Sequence, residues 1–255
     1  MSDSLAVVVL TLNEAKRLER CLQRIPDRYP VFIVDSGSSD GTLELAGSLD
    51  VTIISHPWAG FAGQRNFALA QLREYSWCLF IDADELYSAS FFENLPSKLV
   101  DSGVDVYEVS SRLCLTGSML RYAPGYPIYH PRLVRTRTVR FIPNDSGHGE
   151  TVESGLHVGY IDIPYEHHFA DDGPRAWLQK HLRLAEIEAN APSSAGVQTW
   201  RARLSKSIGR GPLRPLLRFL FHYVVCQGFR DGRPGLIYSL MYTWFELTKL
   251  LFSDT

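Results

Sequence analysis

Trp77-Cys78-Leu79-Phe80-Ile81-Asp82-Ala83-Asp84-Glu85 is a short apolar run that stops abruptly at a cluster of carboxylates. A continuous apolar run of this length has the pattern of a strand buried on both faces, and both faces are buried when helices cover a parallel sheet. In open sheets of that kind ligands gather beyond the carboxyl ends of the strands, which is where Asp82 and Asp84 fall. Two carboxylates separated by one small residue repel each other, and a cation between them and a substrate relieves the repulsion. Hard oxygen ligands suit Mg or Mn. Taken alone, the same residues read more readily as a solvated acidic turn after a strand.

Upstream, Leu5 to Leu10 is a first strand, and Thr11, Asn13 and Glu14 stand at its end. Ala15 to Ile25 carries Leu18, Cys21, Leu22 and Ile25 at helical spacing. Val31 to Val34 is a second strand ending at Asp35, a residue able to accept hydrogen bonds from a ribose or a base edge. Ser36 to Thr42 is dense in turn formers; Asp40, before Gly41, suits the turn, and Thr42 can cap a helix from Leu43 to Ser48. Val51 to Ser55 is a third strand. Gly60 and Gly63 in the loop beyond it permit close backbone approach, and Gln64, Arg65 and Asn66 open a helix to about Glu74. An arginine at a helix start suits an anion, because the helix's positive end and the guanidinium fork both favour it; a solvated surface arginine is the other reading. Alternating strands and helices up to Glu85 predict an α/β domain with a parallel sheet in right-handed winding.

At 255 residues and 45% hydrophobic content the chain holds one such domain with an appendage. A net charge of -2 gives no argument for a nucleic-acid partner. Cys21, Cys78, Cys114 and Cys226 lack metal-type spacing and read as reduced packing residues of a cytosolic protein. Leu5 to Leu10 is too short and lacks the basic flanks of a signal peptide.

Four segments now stand in order: Val9 to Glu14, Val34 to Thr42, Gly63 to Asn66, and Ile81 to Glu85. Together they resemble the family 2 glycosyltransferases, which have the GT-A fold, a mainly parallel Rossmann-like sheet flanked by helices. The resemblance implies that Thr11, Asn13, Glu14 and Asp35 hold the nucleotide of a UDP-sugar donor, with Gln64 and Arg65 against its uracil or phosphates. By the same resemblance Asp82 faces the ribose or the metal, and Asp84 binds the Mg or Mn that bridges the diphosphate. A nucleoside diphosphate leaving group needs its developing charge neutralised, and a divalent cation does so without proton transfer.

Val104 to Val109 and Val139 to Ile142 have strand character. Tyr122 to Pro131 is a Pro, Tyr and Gly-rich loop, either shaping an acceptor pocket or packed on the surface. Relatives of the lipopolysaccharide-core type carry a His-Glu pair, a β segment and a second His. Here Glu150 matches the Glu, Gly149 replaces the His with His148 one residue earlier, and His168, next to His167, matches the second His. Inverting displacement needs a carboxylate to take the acceptor's proton; Glu150 is the candidate, with Asp145, Glu153, Asp171 and Asp172 as rivals. His168 is either a third metal ligand or a hydrogen-bonded structural residue.

Residues 1–172 are thus expected to form the GT-A domain, and 173–255 a basic, amphipathic helical region. Helices are expected at Pro174 to Glu188, Trp200 to Ile208, a stretch beginning near Pro212 and Pro215, and Leu236 to Phe252. Gly228, Phe229, Asp231, Gly232 and Gly235 again resemble the lipopolysaccharide-core relatives. Charged residues interrupt the apolar helices, so spanning a bilayer is not expected. Docking on an anionic inner-membrane surface from the cytoplasm, or packing as a helical hairpin, are the two readings. The expected activity is metal-dependent, inverting transfer of a single sugar, glucose by the resemblance, to a lipid-linked or lipopolysaccharide-core acceptor. The alternatives are a sugar-nucleotide nucleotidyltransferase, which would normally carry a glycine-rich loop where Thr11 to Glu14 stands, and a non-catalytic nucleotide-sugar-binding module at the membrane.

Overall fold

The computed structural model describes residues 4–100, 103–144, 149–190 and 211–253. The chain forms two compact units. The first takes Met1–Arg112, Pro127–Pro143 and Glu150–His168; the second takes Leu113–Tyr126, Asn144–Gly149 and Phe169–Thr255.

The first unit opens with the expected alternation: β1 (Leu5–Thr11), α1 (Leu18–Leu22), β2 (Val31–Asp35), α2 (Thr42–Gly47), β3 (Thr52–Ser55), α3 (Gly60–Gln71) and β4 (Trp77–Asp82). After β4 come β5 (Glu85–Leu86), α4 (Ala89–Leu99) and β6 (Val106–Leu115), whose last residues belong to the second unit and pair there with β7 (Ser118–Met119). β8 (Ile128–Arg135), β9 (Phe141–Pro143), β10 (Glu150–Val152) and β11 (Val158–His167) follow. The main sheet runs β3-β2-β1-β4-β8-β6-β11-β5. β3, β2, β1 and β4 are mutually parallel, and β8 enters antiparallel to both β4 and β6. β9 and β10 form a separate antiparallel pair.

The apolar run of β4 behaves as a strand covered on both sides. Trp77, Leu79 and Ile81 join Leu5, Val7 and Val9 of β1 in a core with Phe91, Phe92 and Leu95 of α4. Cys78 and Phe80 join Ala6 and Val8 in a second core with Ala68 and Leu69 of α3. The split follows the two-residue period of a strand. Trp77 Nε1 donates to the Leu99 carbonyl (3.0 Å), fixing β4 against the end of α4. Cys21, Cys78 and Cys114 are buried and all four cysteines are free, with burial pushing the Cys78 thiol up to about 11.

Three local expectations change. α3 begins at Gly60, so Gln64 and Arg65 lie in its second turn and not at its positive end. Thr42 does not cap α2: its hydroxyl accepts from the Glu14 N–H (2.8 Å), while Asp40 accepts from the Thr42 N–H (3.0 Å). The Tyr122 to Pro131 loop ends at Pro127, because Ile128 already pairs with Ser111 of β6.

In the second unit α5 (Gly173–Asn190), α6 (Arg214–Leu220) and α7 (Gly232–Ser253) are joined in part by a π-helical turn, Phe221–Val225, and a 3-10 turn, Gly228–Asp231. The expected helix Trp200 to Ile208 lies outside the described residues, as do Arg201, Arg203, Lys206, Arg210, Asp145 and His148. α5 and α7 meet along an aromatic seam in which Trp177 stacks on His181 (3.7 Å) and packs near Tyr242 and Trp244. Among the described residues no helix is long and apolar enough to cross a membrane.

Within this unit Glu246 is buried between Arg214 (2.7 Å), Arg218 (2.6 Å) and Lys249 (3.1 Å). Burial alone would raise its carboxyl pKa, but Arg218, Lys249 and Arg214 outweigh burial and hold it below the usual glutamate value. Its contribution is therefore complete above the unfolded-state value and is lost as pH falls through the lower folded value. Glu246→Gln is expected to cost about 2 kcal/mol near neutral pH, less than a fully buried pair because the arginines are partly exposed. Thermal melts should show that gap narrowing below about pH 4; an equal gap at pH 3 and pH 7 would remove the ion pairs as its cause.

Candidate active site

The carboxyl ends of β1, β2 and β4 lie side by side, with Thr11 paired to Asp35 and Leu10 to Asp82 in the sheet register. Asp35 is buried, and its Oδ2 accepts from the hydroxyls of Thr11 (2.9 Å) and Ser38 (2.5 Å). Its Oδ1 accepts from the N–H groups of Gly37 (2.9 Å) and Ser38 (2.8 Å). Burial would raise the carboxyl, but these bonds, led by Ser38, draw it below the usual aspartate value. A carboxylate accepts about four bonds, so a ligand reaching Asp35 would share it with the loop. Asn13 sits in the left-handed region (φ 58) that asparagine tolerates, and its side-chain oxygen accepts from the Ser39 N–H (2.8 Å). Glu14 pairs with Arg17 (2.9 Å). These residues build one continuous polar rim across the two strand ends.

Gln64 is buried and turned inward: its amide group meets His56 Nδ1 (2.8 Å), Ser36 Oγ (3.0 Å) and the carbonyls of His56 and Pro57. It therefore fastens the segment after β3 to the loop after β2. Arg65, one residue on, is also fully buried, with its guanidinium near Phe80 and Phe141. Its Nη2 lies 3.0 Å from Asp82 Oδ1 and 3.1 Å from Glu150 Oε1.

A second buried guanidinium, from Arg132 in β8, completes the arrangement. Arg132 Nη2 donates to Asp82 Oδ2 (2.8 Å) and to Glu85, and Nη1 lies 3.6 Å from Glu150 Oε1. Asp82 and Glu150 thus converge on the same two arginines, although 68 positions of sequence separate residues 82 and 150. Burial alone would raise the Asp82 carboxyl; Arg132 and then Arg65 overcome it and hold the group well below the usual carboxylate range. Glu85 goes the other way, because burial outweighs Arg132 and the charge of Asp82 adds to it, pushing the carboxyl up to about 7. Burial, with Arg132 nearby, pushes His130 down to about 3, so its imidazole is neutral at neutral pH.

Asp84 lies in the turn between β4 and β5, its carboxylate 3.4 Å from His167 Nε2. Burial makes His167 a weaker base, but the Asp84 charge and hydrogen bond outweigh burial and raise its pKa above the ordinary histidine value. Alternation along β11 separates the two histidines. His167 presents its ring to Asp84, whereas the His168 ring meets Glu166 (3.3 Å) and the His168 N–H donates to the Asp84 carbonyl (2.8 Å). Donor atoms sharing one octahedral Mg or Mn sit about 3 Å apart. A carboxylate and an imidazole at the Asp84–His167 spacing suit such an ion, and the imidazole suits Mn the better.

The structure therefore brings Arg65, Asp82, Asp84 and Glu150 into one constellation with the rim of Thr11, Asn13, Glu14 and Asp35 at its side. Gln64 and His168 stand behind it, holding backbone. Arg132, Glu85 and His167 join it unforeseen. Pro131 to Val134 are buried in succession, so no alternation marked Arg132 and the sequence carried no local signal for it.

The glycosyl transferase family 2 pattern matches residues 6–148. A lipopolysaccharide core biosynthesis glycosyltransferase of Rhizobium meliloti (strain 1021) is 34% identical, over 93% of this chain and 89% of that protein. An uncharacterized glycosyltransferase of Rickettsia bellii is 32% identical over 42% of this chain and 36% of its own length. Among solved structures, the Mycobacterium tuberculosis glucosyl-3-phosphoglycerate synthase in complex with UDP superposes with a TM-score of 0.50 at 16% identity, covering 77% of this chain and 84% of that one. At that identity the likeness concerns the fold.

Proposed function

Because the chain belongs to glycosyl transferase family 2, we propose that it moves a single sugar, glucose, from UDP-glucose to a lipid-linked acceptor of the lipopolysaccharide-core type, with inversion. The observation that carries this reading is the convergence of Asp82 and Glu150 on Arg65 and Arg132 beside Asp84. Lipopolysaccharide core biosynthesis is the role of the Rhizobium meliloti relative, and UDP is bound by the Mycobacterium tuberculosis fold neighbour. Residues 1–172 would carry the transfer and 173–255 the attachment to a surface.

In this reading Thr11, Asn13, Glu14 and Asp35 receive the nucleoside, Gln64 stiffens their support, and Asp82 faces the ribose. Asp84 and His167 would hold a divalent cation, Mg or Mn, which would supply charge neutralisation at the departing diphosphate, and His168 fixes the Asp84 backbone. Glu150 takes the proton from the acceptor hydroxyl as its oxygen bonds to the anomeric carbon and the bond from that carbon to the UDP oxygen breaks. Arg65 and Arg132 keep both carboxylates aligned. A screen of nucleotide sugars for cation-dependent binding and slow hydrolysis tests the assignment. UDP-glucose should stand out; turnover of a nucleoside triphosphate with a sugar phosphate instead would overturn it.

The second unit supports docking on an anionic membrane. Leu213 (65% exposed), Leu216 (55%), Leu220 (41%), Val224 (52%) and Phe229 (52%) leave an apolar series open along α6 and the turns after it. Arg230 and Arg233 are exposed beside it, while the two carboxylates of residues 211–253 are withdrawn, Glu246 by burial and Asp231 by backbone bonds. Apolar side chains with a basic edge suit anionic headgroups. Binding to phosphatidylglycerol vesicles is expected to weaken as salt rises and to fall at least tenfold in Leu216→Asp, on the order of losing one buried leucine. Salt-independent binding, or none, would favour the packed-hairpin reading.

A further inference from the structure

Trp58, in the first unit, has no part in the chemistry above. It lies in the connection from β3 to α3 and is 51% exposed; among the described residues no other tryptophan is more than half exposed. A lone exposed apolar side chain is ordinary on a protein surface, but the backbone around this one is pinned. The His56 N–H donates to the Asp35 carbonyl (2.9 Å), and the His56 ring lies flat on Phe67 of α3, centroids 3.8 Å apart. The Pro57 carbonyl, part of the peptide that leads into Trp58, accepts from Gln64 Nε2 (3.0 Å). The same nitrogen donates to Ser36 Oγ (3.0 Å), so one buried amide ties the Trp58 peptide to the residue that follows Asp35. Beyond Trp58, Gly60 (φ +81) turns the chain into α3, and Gly63 leaves room for Ala59, whose Cβ a side chain at Gly63 would meet at 2.9 Å. Phe61 then packs perpendicular to the Trp58 ring at 5.0 Å.

Connections that follow the strands of a parallel sheet open on its ligand side, and the strand order sets which part of a ligand each can reach. β4, β1, β2 and β3 are successive neighbours, so the end of β3 is three strand spacings, about 14 Å, from the end of β4. With a diphosphate at Asp84 on the β4 side, the base is the part of a nucleotide that extends farthest toward β2 and β3. The carboxylate at the end of β2 is largely spent there: Asp35 accepts one bond from Thr11, one from Gly37 and two from Ser38. Hydrogen bonding to Asp35 therefore leaves much of the affinity for the base to be supplied by stacking. An indole face supplies it, since every base presents a π-face.

We infer that Trp58 is a binding residue for the nucleobase of the donor: its indole, held beside the Asp35 loop by Gln64 and Phe61, stacks on the base. The inference rests on the donor assignment made above. Calorimetry with UDP on the full-length protein tests it, together with tryptophan fluorescence. The Kd of UDP should rise about tenfold in Trp58→Ala, the order found for removing one aromatic from a base, and stay within about threefold of wild type in Trp58→Phe, which keeps an aromatic face. Melting temperatures of both variants should match wild type within a few degrees, because the side chain is half exposed. UDP should quench the emission of wild type through contact of base and indole, and that quench should disappear in Trp58→Phe although binding persists. In transfer assays the KM for UDP-glucose should rise in Trp58→Ala with kcat within about twofold. Wild-type affinity in Trp58→Ala would overturn the inference, as would equal losses in the alanine and phenylalanine variants, or a quench that survives in Trp58→Phe. Each of those results leaves the donor assignment standing, since UDP still binds. Wild-type protein that binds no UDP would sink the donor assignment and the role of Trp58 together.

Discussion

Asp84→Ala is expected to lower transfer by about 10³-fold or more while leaving the melting temperature within a few degrees of wild type. The size follows from the several kcal/mol that a cation supplies at a developing charge. The fold should survive because Asp84 lies in a turn beyond the core, and its structural bond to the second histidine uses its backbone carbonyl, which alanine keeps. What the mutation removes is the carboxylate 3.4 Å from His167 Nε2. Calorimetry with UDP should accordingly show cation-dependent affinity in wild type and none in the variant. Wild-type transfer rates in Asp84→Ala would eliminate the cation assignment. His167→Ala provides the complementary measurement, since the reading gives that ring a direct part and His168 a part through the Asp84 backbone only.

The N-terminal architecture was legible because its signals are local. The apolar runs of β1, β2 and β4 are bounded by turn formers, and each strand ends where a polar residue first appears. Strand ends in a parallel sheet lie together by topology, so Thr11, Asp35 and Asp82 could be grouped without knowing any side-chain orientation. Orientation is where local reading fails. Gln64 and Arg65 look like outward donors, yet α3 starts at Gly60 and turns both inward, one to Ser36 and His56, the other to Asp82 and Glu150. The two adjacent histidines cannot be told apart in sequence, because only the register of β11 against β5 decides which ring reaches Asp84. Arg132 was hidden for a related reason. Pro131 and the Pro- and Tyr-rich segment before it read as loop, whereas β8 is held between β4 and β6 by pairings that no local window contains.

Those long-range pairings also give the active-site carboxylates their charge balance. Asp82 and Glu150 share two guanidiniums, and Glu85, buried against Arg132, is pushed up to about 7. One carboxyl of the group is thus partly protonated near neutrality, which reduces the repulsion that three adjacent acids would otherwise produce. Arg132 is the residue common to Asp82, Glu85 and Glu150, so a change at one of the three alters the field felt by the other two.

Glu150→Gln separates catalysis from positioning. If Glu150 takes the acceptor's proton, kcat falls by about 10²- to 10⁴-fold, the usual consequence of losing a general base; if it only holds the acceptor, KM rises and kcat is spared. Glutamine keeps the size and one oxygen for the Arg65 and Arg132 bonds, but it loses the charge those guanidiniums neutralise. Two controls follow from that geometry. UDP-glucose affinity should be unchanged, because Asp82 retains both arginines, and the melting temperature should fall only modestly. Glu150 lies 3.1 Å from Arg65 and 3.6 Å from Arg132, contacts that limit how far its carboxylate can move. The acceptor hydroxyl must therefore come to Glu150, and a loss of kcat with unchanged donor affinity is the expected signature. A kcat within about threefold of wild type, under conditions where chemistry limits the rate, would rule out Glu150 as the base. Glu153 would then be the next candidate, two residues along in the chain and paired with Arg140 at 3.7 Å, outside the Arg65–Arg132 pair.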